Sequence, residues 1–181
     1  MTLFSSKKEK QLWLLVLLVV LTIFSTLLFG QPLLEILGNQ NVQAALFLLG
    51  MLLTAGFIFY NGFKSNSSSK MIGVFLGLLA VYLLLFLRLG LAERTHLMEY
   101  SVLAVFIYQA LSERHKNGFK VIKPAFLATG ITCLIGVLDE FMQLFIPNRV
   151  FDLNDIIFNC LAALAAIIST LSLEMLRNKM K

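Results

Sequence analysis

The sequence predicts an all-α, polytopic transmembrane bundle of about six helices with both termini in the cytoplasm, and three observations predict it. Of the 181 residues, 59% are hydrophobic and only 14% charged, where a soluble domain carries about 25% charge. The apolar residues are gathered into blocks of membrane-crossing length. The basic residues fall unevenly between the two ends of those blocks. This composition excludes a disordered chain, a coiled coil and an ordinary soluble enzyme, because no water-soluble fold of this size hides so much apolar surface. The net charge of +5 does not signal nucleic acid, since the basic residues lie between apolar blocks and not on one face. Two cysteines are too few for a disulfide scaffold.

A spanning helix needs roughly 20 apolar residues. Six blocks approach that length: Leu12 to Phe29, Ala44 to Phe63, Met71 to Leu87, Leu97 to Leu111, Ala125 to Ile146 and Leu153 to Leu176. Lipid cannot hydrogen-bond an open strand, and the alternation of a barrel strand is missing, so all six read as helices. The first block follows Lys7, Lys8 and Lys10 like a signal peptide. Its apolar run is too long for one, and it reaches Phe29-Gly30-Gln31-Pro32 without a small-residue cleavage site, so it reads as a retained helix. The fourth block is short and carries Glu99 and Tyr100 near its start. With six crossings and the N-terminus inside, twelve of the fifteen Lys and Arg residues face the cytoplasm, leaving Arg88, Arg94 and Arg149 outside. The chain divides at the polar stretch Lys64 to Lys70: residues 1–70 hold two helices and this cytoplasmic loop, and residues 71–181 form a four-helix core carrying the polar groups.

Ionisable groups within a membrane cost about 2.5–3.5 kcal/mol each at a helix centre, so each needs a reason to be there. In block five, Asp139 and Gln143 share a helix face, with Glu140 about 100° around. If Pro147 closes that helix, the carboxylates lie roughly 10 Å below its end. Block six opens with Asp152 as an N-cap, Asp155 in the first turn and Asn159 one turn further on. Asn159, inside an apolar run, is expected to hydrogen-bond across a helix interface. At the start of block four, His96, Glu99 and Tyr100 share a face, and histidine suits proton transfer near neutral pH. These groups all fall toward the outer side, where Glu35, Glu93, Glu99, Asp139, Glu140, Asp152 and Asp155 also lie. Cys133 and Cys160 are expected at different depths, as unpaired small apolar residues.

The segments His96-Leu97-Met98-Glu99-Tyr100, Asp139-Glu140-Phe141-Met142-Gln143-Leu144-Phe145-Ile146-Pro147-Asn148-Arg149 and Asp152-Leu153-Asn154-Asp155-Ile156-Ile157-Phe158-Asn159 resemble the VanZ-like family of bacterial membrane proteins. The family pattern is a histidine at a helix start, D-E-x-x-Q-x-F-x-P-x-R, then D-x-x-D-x-x-x-N. The likeness spans roughly Arg88 to Ala165 and leaves the first two helices outside it. Where many members carry glycine after the Asn, this chain has Cys160-Leu161-Ala162-Ala163, which keeps the residues small. The resemblance implies a multi-pass protein of the bacterial cytoplasmic membrane and a link to low-level resistance to the glycopeptide teicoplanin, an agent that acts on cell-wall precursors outside the membrane.

The residues themselves leave four readings open. An enzyme acting on a phospholipid or lipid-linked cell-wall precursor would use His96, Asp139 and Glu140 for proton transfer. Arg88, Arg94 and Arg149 would hold a phosphate, while Glu99, Gln143, Asp155 and Asn159 would contact substrate. A divalent ion would suit Asp139, Glu140, Asp152 and Asp155, since hard cations take oxygen ligands; no other cofactor motif is present. A binding protein would use the same crevice without turnover. A structural lock would neutralise Asp139 and Glu140 with Arg149 or Arg88. A proton-coupled transporter would use the carboxylates as carriers, although no inverted repeat is visible. The oligomeric state is not legible.

Overall fold

The computed structural model describes residues 4–36, 73, 76–80, 82–83, 91–147 and 149–179, and the side-chain description excludes 29–36, 91–95, 177 and 179. Among the described residues the regular structure is entirely helical. Four long helices are present: α1 (Lys7–Ile36), α2 (Leu91–Lys116), α3 (Pro124–Gln143) and α4 (Leu153–Lys179). Among the described residues three segments are long and apolar enough to cross a membrane, Lys7–Leu28, Pro124–Gln143 and Leu153–Leu176. They correspond to the first, fifth and sixth apolar blocks. The second block (Ala44 to Phe63), the Lys64 to Lys70 loop and Arg88 lie outside the described residues, as do most of the third block and the side chains of Glu93 and Arg94.

One compact unit comprises Met1–Leu28 with Leu89–Thr170, and a second comprises Phe29–Arg88 with Leu171–Lys181. The described residues of the second unit are all helical.

The first unit begins with a cap. Ser6 precedes α1, and its Oγ accepts the backbone N–H of Glu9 at 3.0 Å. The Glu9 carboxylate reaches back to accept the Ser5 N–H at 2.6 Å. This is the reciprocal logic of a capping box, with the acid landing one residue earlier than usual. Glu9 is fully buried because its other oxygen accepts from Arg114 at the end of α2, at 3.0 Å. Ser6 also donates to Glu113 at 3.4 Å. Toward the far end of this unit's part of α1, Thr26 donates to Glu99 near the start of α2 at 3.2 Å. The two helices are therefore antiparallel and tied at both ends. Leu12, Val16, Ile23 and Leu27 form the buried stripe of α1, and Leu14, Leu17, Leu18 and Leu21 stay exposed, as a lipid-facing surface requires.

The second helix differs from expectation. The fourth block was expected to be a short helix over Leu97 to Leu111, but α2 runs for 26 residues. Glu93, Arg94 and Glu113 end an apolar run without ending a helix, because Ala, Leu, Arg and Glu are all strong helix formers. Its C-terminus is a Schellman motif. Gly118, at φ 88°, lets its N–H reach the His115 carbonyl and lets Phe119 reach that of Arg114. The contact that usually closes this motif is here a cation–π stack, with the Arg114 guanidinium 5.0 Å from the Phe119 ring centre.

Two other helix bounds also differ. The first helix continues past Gly30 and Pro32 to Ile36. The third ends at Gln143 and not at Pro147: Leu144, Phe145 and Ile146 donate to carbonyls three residues back, which is the tightened turn common before a helix stop. Pro147 disfavours helical geometry at the residue before it, so the stop begins earlier than the proline itself.

On α3 the buried positions are Ala128, Thr132, Gly136, Asp139, Glu140 and Gln143, while Phe126, Leu134, Leu138 and Phe141 are exposed. The helix thus turns its polar and small residues inward and its large apolar ones outward. That is the reverse of a soluble helix and the arrangement expected in lipid, where small and polar contacts hold helices together. The described helices establish a helical membrane protein.

Arg114 compensates a carboxylate that has no access to water. Arg114→Ala is expected to lower stability in detergent by roughly 1–3 kcal/mol, the usual cost of orphaning a buried polar partner. Lys8→Ala, which removes an exposed pair with Glu113, should cost close to nothing. Thermal unfolding followed by circular dichroism distinguishes the two.

Candidate functional site

The polar site is built where α2, α3 and α4 approach one another closely. Gly136 makes that approach possible. A Cβ placed on it would sit 3.1 Å from Asn159 Cβ on α4 and 3.3 Å from Tyr100 Cε1 on α2. Either contact is tighter than packed carbon atoms ordinarily allow. Small residues continue the contact along α4, where Ala162, Ala163 and Ala166 are buried, and Ser101 of α2 donates to the Ala162 carbonyl at 3.4 Å.

Just beyond Gly136 along α3 come the carboxylates. Asp139 and Glu140 are 2% and 0% exposed. The Tyr100 hydroxyl donates to Asp139 Oδ2 at 2.9 Å. Gln143 donates to Glu140 Oε1 at 2.6 Å, and the Asp152 backbone N–H donates to Glu140 Oε2 at 3.3 Å. Glu140 is thus held from its own helix and from the entry to α4. Asp152 caps α4 as its sequence position predicts, accepting the Asn154 N–H at 2.8 Å. Asp155 is half-buried in the first turn, and its charge acts on both Asp139 and Glu140.

His96 stands one turn before Tyr100 on α2, with the two rings stacked at a centroid separation of 5.9 Å. Atoms of His96, Asp139 and Glu140 that could act as metal ligands all lie within 4.8 Å of one another. Several buried atoms here have no hydrogen-bond partner: His96 Nδ1, Asp139 Oδ1, Arg149 Nε and both amide atoms of Asn159. Buried polar groups are paired in the great majority of cases, so an unpaired set drawn from three helices and a loop sets this place apart from the rest of the described core.

The structure brings together most of the residues expected from sequence: His96, Asp139, Glu140, Gln143 and Asn159, with Asp155 and Arg149 acting electrostatically on Asp139. Glu99 is drawn aside. Although it shares a face with His96 in projection, its carboxylate accepts from Thr26 on α1. Asn159 was expected to hydrogen-bond across a helix interface, and it does not; it is fully buried with both amide atoms unpaired, because its side chain packs on the backbone of Gly136. The depth of the carboxylates also changes. With α3 ending at Gln143, they lie only about one turn, or roughly 5 Å, from the helix end.

Cys133 and Cys160 are free, as expected, but the expectation that they lie at different depths is overturned. Their thiols lie near one another between α3 and α4. The earlier stop of α3 shifts the register of the hairpin, so that Cys133 and Cys160 fall level just as Gly136 and Asn159 do.

Tyr100, which the sequence places on the face of His96 without a role, and Gly136, to which it gives none, hold the geometry of the site. The signal for Tyr100 was its four-residue spacing from His96. The signal for Gly136 was its place in the spacing Ala128, Thr132, Gly136, Asp139, Gln143 along one helical face. A model of the family described as VanZ/LLP1 matches residues 4–174. The chain belongs to the VanZ/LLP1 family. The match to VanZ/LLP1 begins before α1 and is not confined to Arg88 to Ala165, so the first two apolar blocks, expected outside the likeness, lie within it. That extent agrees with the ties from α1 to both ends of α2. No curated protein and no solved structure matches the chain.

Tyr100→Phe removes the only hydrogen bond to Asp139 among the described residues and leaves the carboxyl wholly unpaired. A stability loss of roughly 1–3 kcal/mol is expected. Gly136→Ala should lower the melting temperature by a comparable amount through overpacking against Asn159 and Tyr100. Detergent thermal melts of both variants check this.

Proposed function

We propose that this VanZ/LLP1 protein binds the phosphate-bearing head of a phospholipid or lipid-linked cell-envelope intermediate at the outer face of the bacterial cytoplasmic membrane, and moves a proton to or from it. The topology of this reading has six crossings with both termini in the cytoplasm, supported by the twelve-to-three division of Lys and Arg residues. It places the ends of α3 and α4 that carry Asp139 and Asp155 outward.

The observation that carries the reading is the convergence of unpaired buried atoms at one place. Arg149 Nε is a donor without an acceptor, Asp139 Oδ1 an acceptor without a donor, and Asn159 offers one of each. Together they fit a ligand that has both anionic oxygens and an exchangeable proton. Arg149 would take a phosphate oxygen, for which a guanidinium is well shaped. Asp139, held by Tyr100 through one oxygen, keeps the other for proton transfer, and His96 supplies a second group for that work. Glu140 and Gln143 hold the loop into α4 in place. Arg88, Arg94, Glu99 and Asp155 would complete the charge around the head group.

A structural lock fits less well. It requires the carboxylates to be neutralised by a guanidinium. Among the described residues Arg149 forms no ion pair with Asp139 or Glu140, and the ion pairs present, Lys8 with Glu113 and Arg114 with Glu9, lie elsewhere.

Asp139→Asn tests the proposal. Asparagine keeps an acceptor for Tyr100 and so preserves the packing, while removing the proton-transfer group. Lipid extracts from cells expressing the wild-type chain should contain an altered phospholipid or precursor species that the variant reduces at least tenfold, with teicoplanin susceptibility rising in parallel. Identical lipid profiles in the presence of a folded variant would overturn the reading.

A further inference from the structure

We infer that His96, Asp139 and Glu140 form a binding site for one divalent transition-metal ion, for which Zn²⁺ is the best match. The geometry is the first ground. The three ligand atoms lie within 4.8 Å of one another, whereas ligands around a tetrahedral metal at 2.0–2.2 Å are separated by about 3.4 Å. A side-chain adjustment of at most about 1.4 Å closes the difference. The second ground is how each ligand is held. Tyr100 engages Oδ2 of Asp139 and leaves Oδ1 unpaired, and the stack on Tyr100 holds the His96 ring while its Nδ1 stays unpaired. Glu140 is fixed by Gln143 and the Asp152 N–H, each of which leaves an oxygen lone pair unused. Outer contacts that orient a ligand without consuming its coordinating atom are what metal sites require.

The third ground is charge. Asp139 and Glu140 are buried within electrostatic reach of further carboxylates, and no ion pair neutralises either one among the described residues. A buried excess of negative charge needs a cation or protons to cancel it. The donor set then selects the ion. Magnesium and calcium take oxygen ligands throughout, while an imidazole with two carboxylates suits zinc first and manganese second. Three protein ligands leave at least one position open, as in metal sites where water or substrate also binds. This inference does not depend on the lipid reading of the same pocket, and an ion held by Asp139 and His96 would occupy the groups to which that reading gives proton transfer.

The test uses the full chain, purified in detergent without a polyhistidine tag and stripped with a chelator. After equilibrium dialysis against Zn²⁺, Mn²⁺ or Mg²⁺, elemental analysis should find about one Zn²⁺ per chain, weaker Mn²⁺ retention and no Mg²⁺. His96→Ala and Asp139→Asn should each weaken Zn²⁺ binding at least tenfold. His115→Ala, which removes the chain's other, exposed histidine, should not. Circular dichroism melts establish that each variant is folded, and Co²⁺ absorption bands lost in His96→Ala give a readout independent of stability. Absence of stoichiometric Zn²⁺, or equal binding by all three variants, overturns the inference and leaves protons as the compensating charge. Stoichiometric metal together with unchanged lipid profiles would overturn the lipid reading alone.

Discussion

The close approach of three helices at Gly136 is the constraint on which the polar site depends. Without a side chain at that position, Asn159 of α4 and Tyr100 of α2 both reach the backbone of α3. Only that proximity lets a tyrosine hydroxyl meet Asp139 from a neighbouring helix. In lipid there is no hydrophobic drive to press helices together, so their separation is set by the smallest residues between them. A single methyl group here would move the hydroxyl, the carboxylate and the amide relative to one another. The chemistry of the site and the packing of the bundle are consequences of one backbone contact.

The opposite end of α2 shows how the same chain treats charge when it wants none left over. Glu9 is as buried as Glu140, and each of its oxygens has a donor, from Ser5 and Arg114. Arg114 in turn is held by the Phe119 ring and by the Schellman turn that places Phe119 beneath it. This is a completed network, and its effect is to fix α1 against α2. Asp139, by contrast, keeps one oxygen without a donor. The two ends of one helix therefore hold buried carboxylates in opposite states, one satisfied and one not.

Much of this was legible in the sequence. The apolar blocks at α1, α3 and α4, the cap at Asp152 and the shared face of Asp139 and Gln143 follow from composition and helical period alone. The length of α2 was not legible from hydropathy, because its ends are charged: they stop reading as membrane while still reading as helix. The stop of α3 was misplaced for a related reason. Pro147 is the visible signal, but a proline acts on the residue before it, and the preceding turn had already tightened. That displacement carried over into the hairpin register and hence into the depth assigned to Cys133 and Cys160. Tyr100 was seen on the correct face, yet its partner could not be read, since no period within α2 reveals which residue of α3 stands opposite.

Asn159 carries this contrast furthest. An amide in an apolar helix reads as a hydrogen bond to a neighbouring helix, since lipid offers nothing else to bond. In the folded chain the neighbouring surface it meets is Gly136, which has no side chain with which to answer. Interhelical adhesion alone does not call for this amide, since a small apolar residue in place of Asn159 would pack on Gly136 and leave no polar atom unpaired. The pairing of a glycine with an asparagine instead leaves a donor and an acceptor at full burial beside Tyr100 and its bond to Asp139. Such an arrangement costs stability in the bundle, a cost that the polar ligand proposed above would recover. Unsatisfied polarity next to an unsatisfied carboxylate is therefore the physical signature that separates this pocket from the closed network at Glu9.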